Sequence, residues 1–139
     1  MRVVICGAGV IGAAAAYELS RQGMAVTVIE RWRVAGAASG KSGGFLARDW
    51  CRGTPVAPLA ERSFDLHAAW AQDLGDRYGY RRENTFAVTL SDRRKQARTL
   101  GVAGWLAADI TDRSPIGNRD TTAQIDPEAF TRTLIEAAS

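Results

Sequence analysis

Hydrophobic positions along the chain change their spacing several times, and each change marks an element. Val3, Val4 and Ile5 form a short unbroken apolar run, and Val26 to Ile29 form another after an intervening helical stretch. Short runs of this kind fit strands of a parallel sheet, predicted at residues 2–6 and 25–30, with a helix over 10–22 between them. Residues 31–58 lose periodicity and are rich in Gly, Ala, Ser and Pro, so they read as irregular. Leu59, Ser63, Leu66, Trp70, Leu74 and Tyr78 then recur at threes and fours, which predicts a helix over 59–78. Phe86, Val88 and Leu90 recur at every second position, as in a strand or hairpin over 80–90. Residues 101–122 read as a loop, with turn chemistry from Asp112 to Asn118. Asp126-Pro127-Glu128 is a helix start, with Asp as N-cap and Pro at the first helical position, and the helix runs on through Phe130, Leu134 and Ile135.

The most informative punctuation lies between the first two strands. Gly7, Gly9 and Gly12 spell G-x-G-x-x-G directly after Val3-Val4-Ile5, and Glu30 closes the second apolar run. That is the layout of a dinucleotide-binding β-α-β unit with a carboxylate about 20 residues on. Gly7 permits a sharp turn, Gly9 leaves room for a pyrophosphate, and Gly12 lets the helix pack close to the strands. The helix N-terminus offers free N–H groups and the positive end of its dipole. An acid at position 30 accepts ribose hydroxyls and repels a 2′-phosphate, which favours FAD or NAD over NADP. Ala15, Ala16 and Leu19 share one helical face, and Gly23 stands where a helix C-terminus favours a left-handed residue. The alternative is an ordinary β-α-β corner with no ligand. It leaves unexplained three closely spaced glycines, which cost conformational entropy.

Composition narrows the setting. The chain has 139 residues, 46% hydrophobic and 24% charged, which describes a globular chain and not a disordered one. No apolar run is long enough to span a bilayer. The first strand begins at Arg2, leaving no room for a leader, so a reducing, cytoplasmic compartment is expected, with Cys6 and Cys51 as thiols and Cys6 in the core. Net charge is +3, with a local excess at Arg77, Arg81, Arg82, Arg93, Arg94, Lys95 and Arg98. No nucleic-acid motif or interleaved aromatic pattern accompanies it, so it reads as a solvated face. His67, the single histidine, reads as a packing residue, and no metal-ligand cluster is visible.

Residues 36–47, GAASGKSGGFLA, are a second glycine-rich stretch. A loop of small residues can run close to a flat ligand and aim N–H groups and hydroxyls at it, or can be a flexible linker. GAGVIGAAAAYELSRQGMAVTVIE followed by AASGKSGGFLA resembles the D-amino-acid oxidase superfamily of FAD-dependent oxidoreductases, whose members include glycine and sarcosine oxidases. ASGKSGGFLARDWC, YGYRRENTF and TTAQIDPEAFTRTLIEAA are similar to a eukaryotic subgroup within it. The resemblance implies that Gly7, Gly9, Val10, Ile11 and Gly12 form the pyrophosphate loop, and that Glu30 takes the ribose with Arg31 beside the adenosine. It also implies that Ala38, Ser39, Lys41, Ser42, Gly43 and Gly44 pass the ribityl chain and flavin ring.

The expected fold class is α/β: a Rossmann-like FAD/NAD(P)-binding domain with part of an inserted substrate domain. A doubly wound sheet needs about five parallel strands, and two are evident here, so the chain reads as the N-terminal portion of a longer flavoprotein. The division expected is 1–78 for the first part of the FAD domain, 79–123 for the start of the substrate domain, and 124–139 for a helix returning to the FAD domain. By resemblance, the function is oxidation of a C–N bond in a small amine or amino acid by hydride transfer to FAD, with catalytic side chains unassigned. The alternatives are an NAD-binding reductase and a non-catalytic fragment.

Overall fold

A computed structural model describes residues 1–90 and 110–139. The element order is β1 (Arg2–Cys6), α1 (Val10–Arg21), β2 (Ala25–Ile29), a 3-10 turn (Ala38–Gly40), β3 (Phe45–Ala47), α2 (Ala57–Leu74), β4 (Arg81–Arg82), β5 (Thr85–Leu90), β6 (Ile110–Gly117), β7 (Thr122–Gln124) and α3 (Pro127–Ala137). Three small sheets result. β1 and β2 pair in parallel with Val3 opposite Val26 and Ile5 opposite Val28. β7 lies between β3 and β4, antiparallel to both, with Phe45 and Arg81 each opposite Gln124. β5 and β6 form an antiparallel pair with irregular register at both ends of β5.

The β-α-β start follows from the sequence as read. α1 lays Ala13, Ala16 and Tyr17 inward, the two alanines fully buried. Its approach depends on Gly12, where a Cβ would drive into the Gly7 carbonyl and press the Ile5 side chain. α1 also packs against α3. α3 is capped as expected, with Asp126 Oδ1 accepting the Ala129 N–H at 2.9 Å and Pro127 opening the helix.

The core lies among α1, α2 and α3. Phe130 stacks against His67, Trp70 and Tyr78 at ring-centre distances of 4.7, 5.8 and 5.0 Å. Tyr17 meets Trp70 edge-on at 5.8 Å, and the Trp70 indole N–H donates to Glu18 Oε1 at 2.8 Å. Leu134, Ile125 and Ala13 complete the cluster. His67 is the packing histidine expected from the sequence, and burial holds its pKa down to about 4.

Four expectations need correction. Cys6 is exposed, not core, because the β1–β2 sheet is covered by α1 on one face only and Val4, Cys6, Thr27 and Ile29 point away from it. The stretch from Asp112 to Asn118 is mostly strand β6, despite Pro115 and Gly117, because pairing with β5 overrides its turn-forming residues. Residues 31–58 contain β3, a three-residue strand with no period of its own. The second helix begins two residues earlier than expected and ends at Leu74, where Gly75 takes φ 72°; Leu59 lies on its solvent side and Phe64 and Trp70 on its buried side. The basic positions Arg93, Arg94, Lys95 and Arg98 lie outside the described residues. Among the described residues, no helix is long and apolar enough to cross a membrane.

Candidate nucleotide-binding site

The glycine turn is built by four segments meeting at one loop. Gly7, at φ 100°, turns the chain out of β1, and its N–H donates to the Ile29 carbonyl at 2.7 Å. Ala8 is the buried centre. Its N–H donates to Glu30 Oε2 at 2.8 Å, and its carbonyl accepts the Ala35 N–H at 3.0 Å. Ser39 Oγ accepts the Val10 N–H at 2.9 Å. The loop is thus braced from the end of β2, from residue 35 and from residue 39. Its first-turn N–H groups at Ile11 and Gly12 are the orphan donors that every helix start leaves. Ile11 carries its side chain into solvent, 85% exposed.

Glu30 sits where the second strand ends. Besides the Ala8 N–H, it accepts the Trp32 N–H on Oε1 at 2.9 Å. These backbone donors, Ala8 first, hold its carboxyl below the usual carboxylate range, so it is an anion at neutral pH. Each carboxylate oxygen retains a further lone pair. Beside it runs an open groove of about 330 Å3 lined by Cys6, Gly7, Ile29, Glu30 and Arg31.

The predicted flavin-side loop divides. Ala38, Lys41, Ser42 and Gly43 are exposed, whereas Ser39 turns inward to α1. Gly44 is buried at φ 69°, and its carbonyl accepts the Ile125 N–H at 2.9 Å. A Cβ at position 44 would strike the Ile125 carbonyl and crowd Pro127, so packing against the start of α3 already accounts for glycine there. Gly43 is tied to the same region, its carbonyl accepting Gln124 Nε2 at 3.3 Å. Sequence reasoning missed Ala8 and Ala35, which act only through backbone atoms. Ala35, left-handed at φ 57°, carried no residue-type signal. Gly40, whose absent Cβ leaves space for the Ala35 carbonyl, was visible only as one glycine among many.

These features fit the AMP half of a dinucleotide. A helix start with orphan N–H groups suits a pyrophosphate, and an anionic acceptor beside an open groove suits ribose hydroxyls. The site and fold therefore define a nucleotide-binding α/β unit. The chain matches the sequence profile of the family described as DAO, FAD dependent oxidoreductase, over residues 2–139, and it belongs to that family, whose cofactor is FAD. A Schizosaccharomyces pombe protein named only as an oxidoreductase is 31% identical over 152 residues, spanning 99% of this chain and 38% of that protein. The glycine oxidase of Pseudomonas aeruginosa is 40% identical over 80 residues, 56% of this chain and 22% of the enzyme. The crystal structure of glycine oxidase from Geobacillus kaustophilus superposes with a TM-score of 0.79 at 23% identity, covering 99% of this chain and 44% of that one. The chain thus spans well under half the length of these relatives.

Proposed function

We propose that this chain forms the AMP-binding part of an FAD-dependent oxidoreductase that oxidises a C–N bond of a small amine or amino acid. The observation that carries the reading is the braced glycine turn with the Glu30 anion at its side. Gly7, Gly9, Val10, Ile11 and Gly12 present the first turn of α1 to the pyrophosphate, and Glu30, with Arg31 beside it, receives the adenosine ribose. The chain's own residues bind and orient; none of them is assigned a catalytic proton transfer. FAD supplies the hydride-accepting chemistry when bound. The substrate class is supported by relatives and fold neighbours named as glycine oxidase, D-amino acid dehydrogenase and L-amino acid deaminase.

The loop at residues 38–44 lies on the flavin side in this reading, with Lys41 and Ser42 directed outward to meet the cofactor. The β5–β6 pair within residues 79–123 is the start of the substrate domain, and residues 124–139 return to the FAD domain. The free thiols Cys6 and Cys51 suit a reducing compartment, the cytoplasm.

The test is the visible spectrum and cofactor content of the whole gene product after purification. Bound flavin and peroxide or dye reduction with amino acids are expected. A colourless protein that takes up NAD and not FAD would overturn the reading.

A further inference from the structure

Helix α1 begins without a cap of its own. Gly9 occupies its N-cap position and has no side chain to offer, whereas helix starts favour Ser, Thr, Asp or Asn there. The missing oxygen comes from Ser39, 29 positions beyond Val10, whose hydroxyl accepts the Val10 N–H at 2.9 Å. The same hydroxyl oxygen lies 3.1 Å from where a Gly9 Cβ would stand. Gly9 itself has φ −77° and ψ 177°, extended backbone that any residue adopts. Backbone conformation therefore does not require glycine at position 9; its missing Cβ leaves room for the incoming hydroxyl as well as for a pyrophosphate. Ser39 is delivered by the 3-10 turn Ala38–Gly40, which closes over the Ala35 carbonyl while the Ala35 N–H holds Ala8.

We propose that Ser39 is a positioning residue: it caps α1 from outside and so fixes the direction of the Ile11 and Gly12 N–H groups, and Gly9 leaves room for its hydroxyl. The consequence for ligand affinity rests on the FAD reading above, but the cap does not. The competing role for Ser39 is direct contact with a phosphate, which would leave the ligand-free protein indifferent to its removal.

The test compares Ser39→Ala, Gly9→Ala, the double variant and Ser39→Thr in the whole gene product stripped of cofactor. Amide hydrogen exchange is followed at Val10 and in α3, and FAD is then titrated by fluorescence. Ser39→Ala is expected to speed Val10 exchange on the order of fivefold, the size of a lost cap, with α3 amides unchanged, and to weaken FAD binding by a similar factor. Gly9→Ala displaces the hydroxyl and speeds Val10 exchange likewise. The double variant exchanges no faster than the worse single one, because both changes remove the same cap. Ser39→Thr keeps the oxygen and returns Val10 exchange and FAD affinity to near their starting values. Unchanged Val10 exchange in ligand-free Ser39→Ala, or additive losses in the double variant, would overturn the proposal. If the unsubstituted protein takes up no FAD, the cofactor reading fails while the exchange results still decide the cap.

Discussion

Around Ala8 the chain is ordered by hydrogen bonds between loops, and around Phe130 it is ordered by packed rings. The first region is mostly half-buried or open: Ile11, Glu30, Arg31 and Lys41 all reach solvent. Its geometry comes from Glu30 and Ala35 acting on Ala8 and from Ser39 acting on Val10. The second region has Phe130 and Leu134 almost wholly removed from water and a stack of Tyr17, Trp70, His67 and Tyr78 around them. Burial stabilises far more per residue than exposed hydrogen bonds do. The two regions share α1, whose first turn faces the nucleotide loop and whose Ala13, Ala16 and Tyr17 face the core. Stability is thus expected to reside at one end of the helix assembly and ligand recognition at the other.

That contrast can be broken by substitution. Phe130→Ala should cost about 3–5 kcal/mol, as truncation of a buried aromatic does. Denaturant unfolding would report it, and a loss below 1 kcal/mol would show that the aromatic cluster is not the core. Acid should act on the same end. Burial lowers the His67 pKa to about 4 from 6.5. A depressed histidine contributes stability above its unfolded value, and that contribution is lost as pH falls from 6.5 to 4. A shift of that size corresponds to at most about 3 kcal/mol, reduced by the partial solvent access of the ring. Unfolding curves across this window should flatten in His67→Gln; an unchanged pH slope would remove His67 as the source.

At the other end, Gly12→Ala should cost about 1–3 kcal/mol through overpacking against the Gly7 carbonyl, and FAD retention should fall more than the melting temperature suggests. Intact cofactor content in a stably folded Gly12→Ala would show that the turn tolerates displacement. The smallest effect on stability belongs to Glu30→Gln. It should leave the melting temperature nearly unchanged while weakening FAD binding roughly tenfold, since a charged acceptor is replaced by a neutral one. Equal FAD affinity in that variant would place the ribose elsewhere.

The sequence made the two regions legible to different depths. β1, α1 and β2 could be read because three glycines, two apolar runs and one acid fall at spacings set by a local unit, and α3 because Asp126 and Pro127 announce it. β3 and β7 could not be read: each is three residues long, and β7 pairs with partners far from it in sequence, whereas β4 falls within the strand or hairpin expected over 80–90. A short strand carries no period, and its existence is decided by what it meets. Cys6 was misplaced for a related reason, since an apolar run in a strand does not state whether both faces are covered. Within the site, Glu30 was legible through its charge, whereas Ala8 and Ala35 work through peptide groups that every residue possesses.

The three braces on the glycine turn also set the smallest transplantable nucleotide module. Residues 1–30 contain the whole glycine fingerprint and its acid, and a designer guided by that motif would cut there. Such an excision would carry the Glu30 brace and leave behind those from Ala35 and Ser39. A graft that ends at Lys41 or beyond takes all three. The portable unit is therefore longer than the motif that advertises it, and its boundary is drawn by peptide groups and one hydroxyl instead of by conspicuous residues.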